Sequence, residues 1–217
     1  MLNIKRVVVS TAIILSTSHV ALGNETGKMI FTQGNGKGAT ACSTCHGIQG
    51  NGSGTAGFPC LSNQSSVYLR KQLEDFRNNK RLNPMMSPIA KALTKAEILA
   101  VTNYVTNIGA GKSITASPKV DSALLKAGEH LAKIGNWAQN IPPCFACHGP
   151  EGYGVGNHFP TLAGQHASYI TNQIRSWQSG TRNNDPNNLM KVVAQRLSDK
   201  ETKAISAYLN SLPPVKK

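Results

Sequence analysis

Two short strings carry most of the chemistry available to this 217-residue chain: Cys42-Ser43-Thr44-Cys45-His46 and Cys144-Phe145-Ala146-Cys147-His148. In each, two thiols lie about one helical turn apart and an imidazole follows directly. That arrangement suits covalent attachment of a porphyrin, with one thioether to each of two vinyl groups and the histidine beneath the iron as proximal ligand. In a shuffled chain of this composition even one such string would arise only roughly three times in a thousand, so a pair is no accident. Two other uses of paired cysteines fit less well. Zinc ribbons set their knuckles about 15 to 20 residues apart, whereas 98 residues separate Cys45 from Cys144. A thioredoxin-type dithiol needs no histidine after its second cysteine, and it sits in a strand–helix alternation that these flanks lack. Two covalently bound c-type haems are therefore the expected cofactors.

The two strings anchor a longer repeat. An offset of 102 superimposes them and brings most of the chain beyond residue 24 into register within three positions. His46-Gly47 and Gly50-Asn51-Gly52 meet His148-Gly149 and Gly152-Tyr153-Gly154, and Phe58-Pro59-Cys60-Leu61 meets Phe159-Pro160-Thr161-Leu162. Tyr68, Gln72, Leu73 and Phe76 then meet Tyr169, Gln173, Ile174 and Trp177. Each copy is of a size, about 90 to 100 residues, that can bury one small core, here around a haem.

The repeat also bears on the sixth position of each iron, which admits ligands when open and favours electron transfer when filled. The second copy has one methionine, Met190, seven residues before Leu197; counting seven back from the matching Leu93 gives Met86. Met86 and Met190 are thus the candidate axial ligands, with Met85 as the neighbour that could substitute. An isolated methionine is more often core filler, and it is the paired register that favours ligation. His130, His158 and His166 have no histidine counterpart in the first copy and are expected at the surface or a haem edge. Cys60, the remaining cysteine, is expected to be a small buried apolar residue.

The elements that must hold these groups read as helices. Val120, Ala123, Leu124, Ala127, Leu131 and Ile134 recur at spacings of three and four, one apolar stripe. Thr94 with Glu97, and Ser198 with Glu201, form capping boxes before runs that reach Tyr104 and Tyr208. No alternating strand pattern stands out, so the fold class is all-α with long glycine-rich loops. Small residues and helix breakers from Gly109 to Pro118 mark a linker. The resulting domains are 24–112 and 119–217, joined by 113–118.

Lys5 and Arg6, an apolar run from Val7, and Ala21-Leu22-Gly23 describe a signal peptide over 1–23, cleaved near Gly23. Export to the bacterial periplasm follows, where haem attachment takes place by analogy with known c-type haem proteins and where thiols are otherwise oxidised. Cleavage removes two of 23 basic residues and none of ten acidic ones, so the mature charge is 21 − 10 = +11 before haem carboxylates reduce it. Such an excess commonly serves nucleic acid or anionic surfaces. An exported chain does not meet nucleic acid, so acidic docking faces on redox partner proteins are the expected targets, and peripheral membrane association stays open.

On these residues the chain resembles the dihaem cytochrome c4 family, two class I cytochrome c domains in tandem, over essentially its whole mature length. The resemblance implies His/Met-ligated irons, with Cys42, Cys45, His46, Met86, Cys144, Cys147, His148 and Met190 as the haem-binding set. It also implies that Pro59 and Pro160 offer carbonyls to the proximal histidines, and that Gly27 and Gly128 let the first helix of each domain approach the last beside Tyr104 and Tyr208. The expected function is a periplasmic electron carrier without catalytic residues or a small-molecule substrate, working between a quinol-oxidising complex and a terminal oxidase. The alternatives are the haem subunit of a flavin-type sulfide or alcohol dehydrogenase, and a dihaem peroxidase. One departure is the stretch Asn183-Asn184-Asp185, which lacks a clear match in Arg81-Leu82-Asn83-Pro84.

Overall fold

A computed structural model describes the backbone of residues 14–109 and 120–214, and the side chains from residue 23 onward within those ranges. The expected linker 113–118, the domain edges at 112 and 119, and residues 1–13 of the expected signal peptide lie outside the described residues. The first domain consists of helices α1 (Ile14–Gln33), α2 (Ser43–His46), α3 (Ser66–Arg77), α4 (Met86–Lys91) and α5 (Lys95–Asn107). The second repeats them as α6 (Ser122–Lys133), α7 (Cys144–His148), α8 (Ala167–Gln178), α9 (Leu189–Arg196) and α10 (Asp199–Ser211). Among the described residues the only β structure is four isolated bridges, so the fold is all-α. No described helix is long and apolar enough to cross a membrane.

Each domain closes where its first helix crosses its last. A Cβ on Gly27 would stand 2.3 Å from the Ala100 carbonyl oxygen, and one on Gly128 would stand 2.2 Å from that of Ala204. Only glycine lets the backbones approach so closely, which is why a residue costing a helix about 1 kcal/mol is used there. Phe31 packs on Tyr104 and Phe145 on Tyr208 beside these crossings. Both capping boxes are formed, with Thr94 and Ser198 accepting from the Glu97 and Glu201 amides. The apolar stripe of α6 ends earlier than its periodicity implies: Leu131 is buried, whereas Ile134 caps the helix and is 53% exposed. Ile30, Phe31, Leu69, Ile98 and Val101 form one core, and Leu131, Ile170, Ile174, Trp177, Ile205 and Leu209 the other.

The two domains meet through a pseudo-twofold contact. Gln64 Nε2 donates to the Thr161 carbonyl (2.8 Å), and Gln165 Nε2 donates to the carbonyl of Cys60, the residue equivalent to Thr161 (2.9 Å). Arg81 and Arg182 form a mutual antiparallel bridge on the same axis. Cys60 is buried at this contact, as expected of a small apolar residue, with its N–H donating to Gln165 Oε1.

Candidate haem sites

Both histidines of the Cys-x-x-Cys-His strings end very short helices and are buried. His46 Nδ1 lies 3.1 Å from the Pro59 carbonyl, and His148 Nδ1 lies 2.9 Å from that of Pro160. A carbonyl can only accept, so Nδ1 donates and the Nε2 lone pair is left for a metal. Burial pushes both imidazoles below the usual histidine range, favouring the neutral, ligating form. Phe58 and Phe159 flank the rings at centroid distances of 6.3 and 6.1 Å.

None of the four string cysteines is in a disulfide. Burial pushes the Cys42 and Cys144 thiols up to about 11, the reverse of the depressed thiols that exchange disulfides. Cys144 and Met190 each pack against the second core, and Cys42 packs against the first. Met86 opens α4 and is half-buried, its N–H donating to Asn83 Oδ1 (2.8 Å). Met85, with its own N–H on the same oxygen, is 55% exposed. Exposure thus separates the two neighbours in the order given by the repeat register. Of the other histidines, His130 and His158 are at the surface. His166 is not: it is buried between the domains, with Nε2 2.8 Å from the Asn51 carbonyl, a place that an isolated histidine in a loop gives no means of foreseeing.

Two observations show that the chain between these residues fits haem. First, Trp177 Nε1 is buried without a hydrogen-bond partner. Indole N–H only donates, so the atom calls for an acceptor. Second, Arg81 and Arg182 are both buried at the domain contact. Arg81 donates to Gln72 Oε1, Tyr169 Oη and Gln173 Oε1, and Arg182 donates to Gln173 Oε1, Gln72 Oε1 and Tyr68 Oη. Their planes stack on Phe76 and Trp177 at 4.5 and 3.9 Å. Neither forms an ion pair with a described carboxylate. Burial, with Arg81 alongside, pulls Arg182 below its usual range; burial alone would raise the Tyr169 hydroxyl, but the two guanidiniums bring it down. Buried cations are costly unless an anion compensates them. Haem carboxylates are anions of the required kind.

Sequence reasoning passed over this arginine pair, although its signal was present at an offset of 101. Arg81-Leu82-Asn83 is the counterpart of Arg182-Asn183-Asn184, since the bridge pairs Arg81 with Arg182. The supposed mismatch before Met190 is instead an insertion of three residues after Asn184.

A family model for cytochrome c matches residues 25–109 and 138–213. A thiosulfate dehydrogenase electron acceptor from Stutzerimonas stutzeri (strain A1501) is 45% identical over 190 residues, 84% of this chain and 84% of its own. Among solved structures, reduced recombinant cytochrome c4 from Pseudomonas stutzeri superimposes with a TM-score of 0.72 at 32% identity, over 87% of this chain and 98% of its own. Thiosulfate dehydrogenase TsdBA from Marichromatium purpuratum gives a TM-score of 0.80 at 39% identity, over 87% of this chain but only 40% of that longer one.

Proposed function

The chain belongs to the cytochrome c family as a dihaem protein of the cytochrome c4 type, and from that premise we propose that it is a periplasmic carrier taking single electrons from a sulfur-compound dehydrogenase and passing them toward a terminal oxidase. Each covalently bound haem supplies an iron that cycles between ferric and ferrous states. Cys42 with Cys45, and Cys144 with Cys147, hold the two porphyrins by thioethers. The Nε2 lone pairs of His46 and His148 and the thioether sulfurs of Met86 and Met190 would be the groups that hold each iron. The prolyl carbonyls hold the imidazoles in one tautomer and one orientation, so the ligand set stays the same in both oxidation states and little reorganisation opposes transfer. With a histidine and a methionine both committed to each iron, the haems would supply single-electron transfer rather than peroxide chemistry. Residues 1–23 direct export and are removed.

The observation that carries this reading is the duplicated pair of buried imidazoles, each with Nδ1 on a prolyl carbonyl, in two domains that repeat the same order of helices. The choice of donor is supported by the names of the relatives, one a thiosulfate dehydrogenase electron acceptor and one a longer thiosulfate dehydrogenase containing a similar region. A quinol-oxidising complex is the other donor, favoured by likeness to cytochrome c4.

Potentiometric titration of the purified protein, with Met86 and Met190 replaced singly by alanine, tests the ligands. Each replacement should lower one midpoint, and a variant that shifts neither refutes the assignment. Mixing the oxidised protein with thiosulfate and a purified thiosulfate dehydrogenase tests the donor. Both haems should be reduced; reduction by the quinol-oxidising complex alone would return the protein to a general respiratory role.

A further inference from the structure

The domain contact obeys its pseudo-twofold axis up to the segment that leads to each methionine. Leu82 N–H donates to the Thr181 carbonyl (3.2 Å), and the equivalent Asn183 N–H donates to that of Lys80 (3.3 Å). At the next residue the symmetry ends. Asn83 is satisfied within its own domain: Oδ1 accepts from the Met85 and Met86 amides, and its N–H donates to Ser87 Oγ. Asn184 is gripped from across the axis. Its Nδ2 donates to Gln72 Oε1 (2.9 Å) and Asp75 Oδ2 (2.7 Å), and its carbonyl accepts from Lys71 Nζ (2.7 Å). Its Oδ1 accepts from Arg182 Nε (2.9 Å), so the whole amide is held.

Lys71 and Asp75 are ion-paired one turn apart on α3. Their counterparts on α8 are Asn172 and Ser176, and Ser176 Oγ merely donates to the Asn172 carbonyl within its own helix. The grip therefore runs one way, from the first domain onto the second. The held segment also has more need of it. Six steps separate Asn184 from Met190 against three from Asn83 to Met86, and the added turn puts Asn187 and Asn188 in the left-handed region at φ 58° and 56°. The connection is closed on itself where Lys191 N–H donates to Asp185 Oδ2 (3.0 Å), so holding Asn184, the residue before Asp185, also holds the end that carries Met190.

Building on the axial role proposed for Met190, we infer that Lys71 and Asp75 are positioning residues for it: docking of the first domain holds Asn184 and thereby sets the sixth ligand of the second haem. The first site has no reciprocal grip, since Asn83 keeps its partners within its own domain. The bonds of Leu82 and Asn183 across the axis are mirrored, so the two sites differ at Asn184.

The test uses the full-length dihaem protein. The double variant Lys71→Asn with Asp75→Ser gives α3 the residues of α8, and Asn184→Ala removes the held amide. In the ferric protein the far-red methionine-to-iron absorbance should fall by up to half in either variant. In proton spectra of the ferrous protein, one of two ring-current-shifted methionine methyl signals should broaden or vanish. Potentiometry should move one midpoint and leave the other. Asp75→Asn, which keeps an acceptor for Asn184, should restore the absorbance. Full absorbance and two sharp methyl signals in both variants overturn the inference, as does equal loss from the two haems. Where the double variant fails to fold, Asn184→Ala carries the same readouts. If Met190→Ala itself leaves the absorbance unchanged, the axial assignment has failed instead, so the two failures are distinguishable.

Discussion

Replacing Gly128 by alanine sets two effects of opposite sign against each other. Helix propensity alone favours alanine by about 1 kcal/mol in the middle of α6. Against this, the added Cβ would lie 2.2 Å from the Ala204 carbonyl oxygen, 2.6 Å from Tyr208 Cβ and 2.8 Å from the Ala204 carbonyl carbon. Two of those atoms are backbone, so no rotamer change relieves the contact and α6 must move away from α10 by about 1 Å, losing close packing along the crossing. Overpacking ordinarily costs about 1–3 kcal/mol, and a clash with backbone belongs at the upper end. The net loss is then about 2 kcal/mol, or roughly 10 °C in the melting temperature of a domain of this size. Thermal unfolding followed by far-ultraviolet circular dichroism and by haem absorbance measures it. The companion variant Ala127→Gly, on the exposed side of α6, should cost only the propensity difference of about 1 kcal/mol. A Gly128→Ala protein as stable as the parent, or more stable, would refute the close-packing account.

The two interface glutamines are equivalent by symmetry but not by bonding. Gln165 serves Cys60 N, Cys60 O and His166 N, whereas Gln64 has one bond, to Thr161 O. In urea unfolding Gln165→Ala should cost about 2–3 kcal/mol and Gln64→Ala about 1; equal losses would count against this bonding difference. Trp177→Phe removes the unpartnered indole donor and leaves the residue type found at position 76. A donor facing an anionic haem carboxylate favours the ferrous iron, so one midpoint should fall and the other stay; movement of both, or of neither, speaks against that contact. Hydrogen bonding from the Thr94 amide holds the Glu97 carboxyl below its ordinary value of 4.5. The folded protein therefore releases this proton more readily than the unfolded chain, and the stability so gained is present above pH 4.5 and lost as pH falls through the lower folded value. Acid titration should show the advantage of wild type over Glu97→Gln shrinking in that window, and a constant difference would contradict it.

The capped helices were legible in the sequence because each depends on residues close together in the chain, or on a repeat that displays them twice, whereas the glycine crossings came with the resemblance to cytochrome c4. The drift of that repeat has local causes. The turn between Asn136 and Ile141 is one residue longer than that between Asn35 and Ala39, and the bridge Val155–Phe159 closes over one residue fewer than Ser53–Phe58. The three-residue insertion after Asn184 then accounts for the remainder. What could not be read was what the two copies do to each other. Arg81, Gln165 and Asn184 look like ordinary surface residues in a helical chain, and they become buried only because a second domain covers them. His166 is buried for the same reason. Polar residues at a domain contact carry no periodicity that marks them, and only their recurrence in both halves separates them from solvated ones.

The contact between the halves has the form of a dimer contact written into one polypeptide, the same patch meeting itself. Had the halves remained separate identical subunits, any substitution would have appeared on both sides of the axis, and the two redox stations would have stayed energetically equal. A single chain removes that restriction: Gln64 and Gln165 keep their mirrored bonds, while Asp75 and Ser176, at equivalent positions, have diverged. Equal stations give an electron no direction. Only unequal ones separate an entrance from an exit.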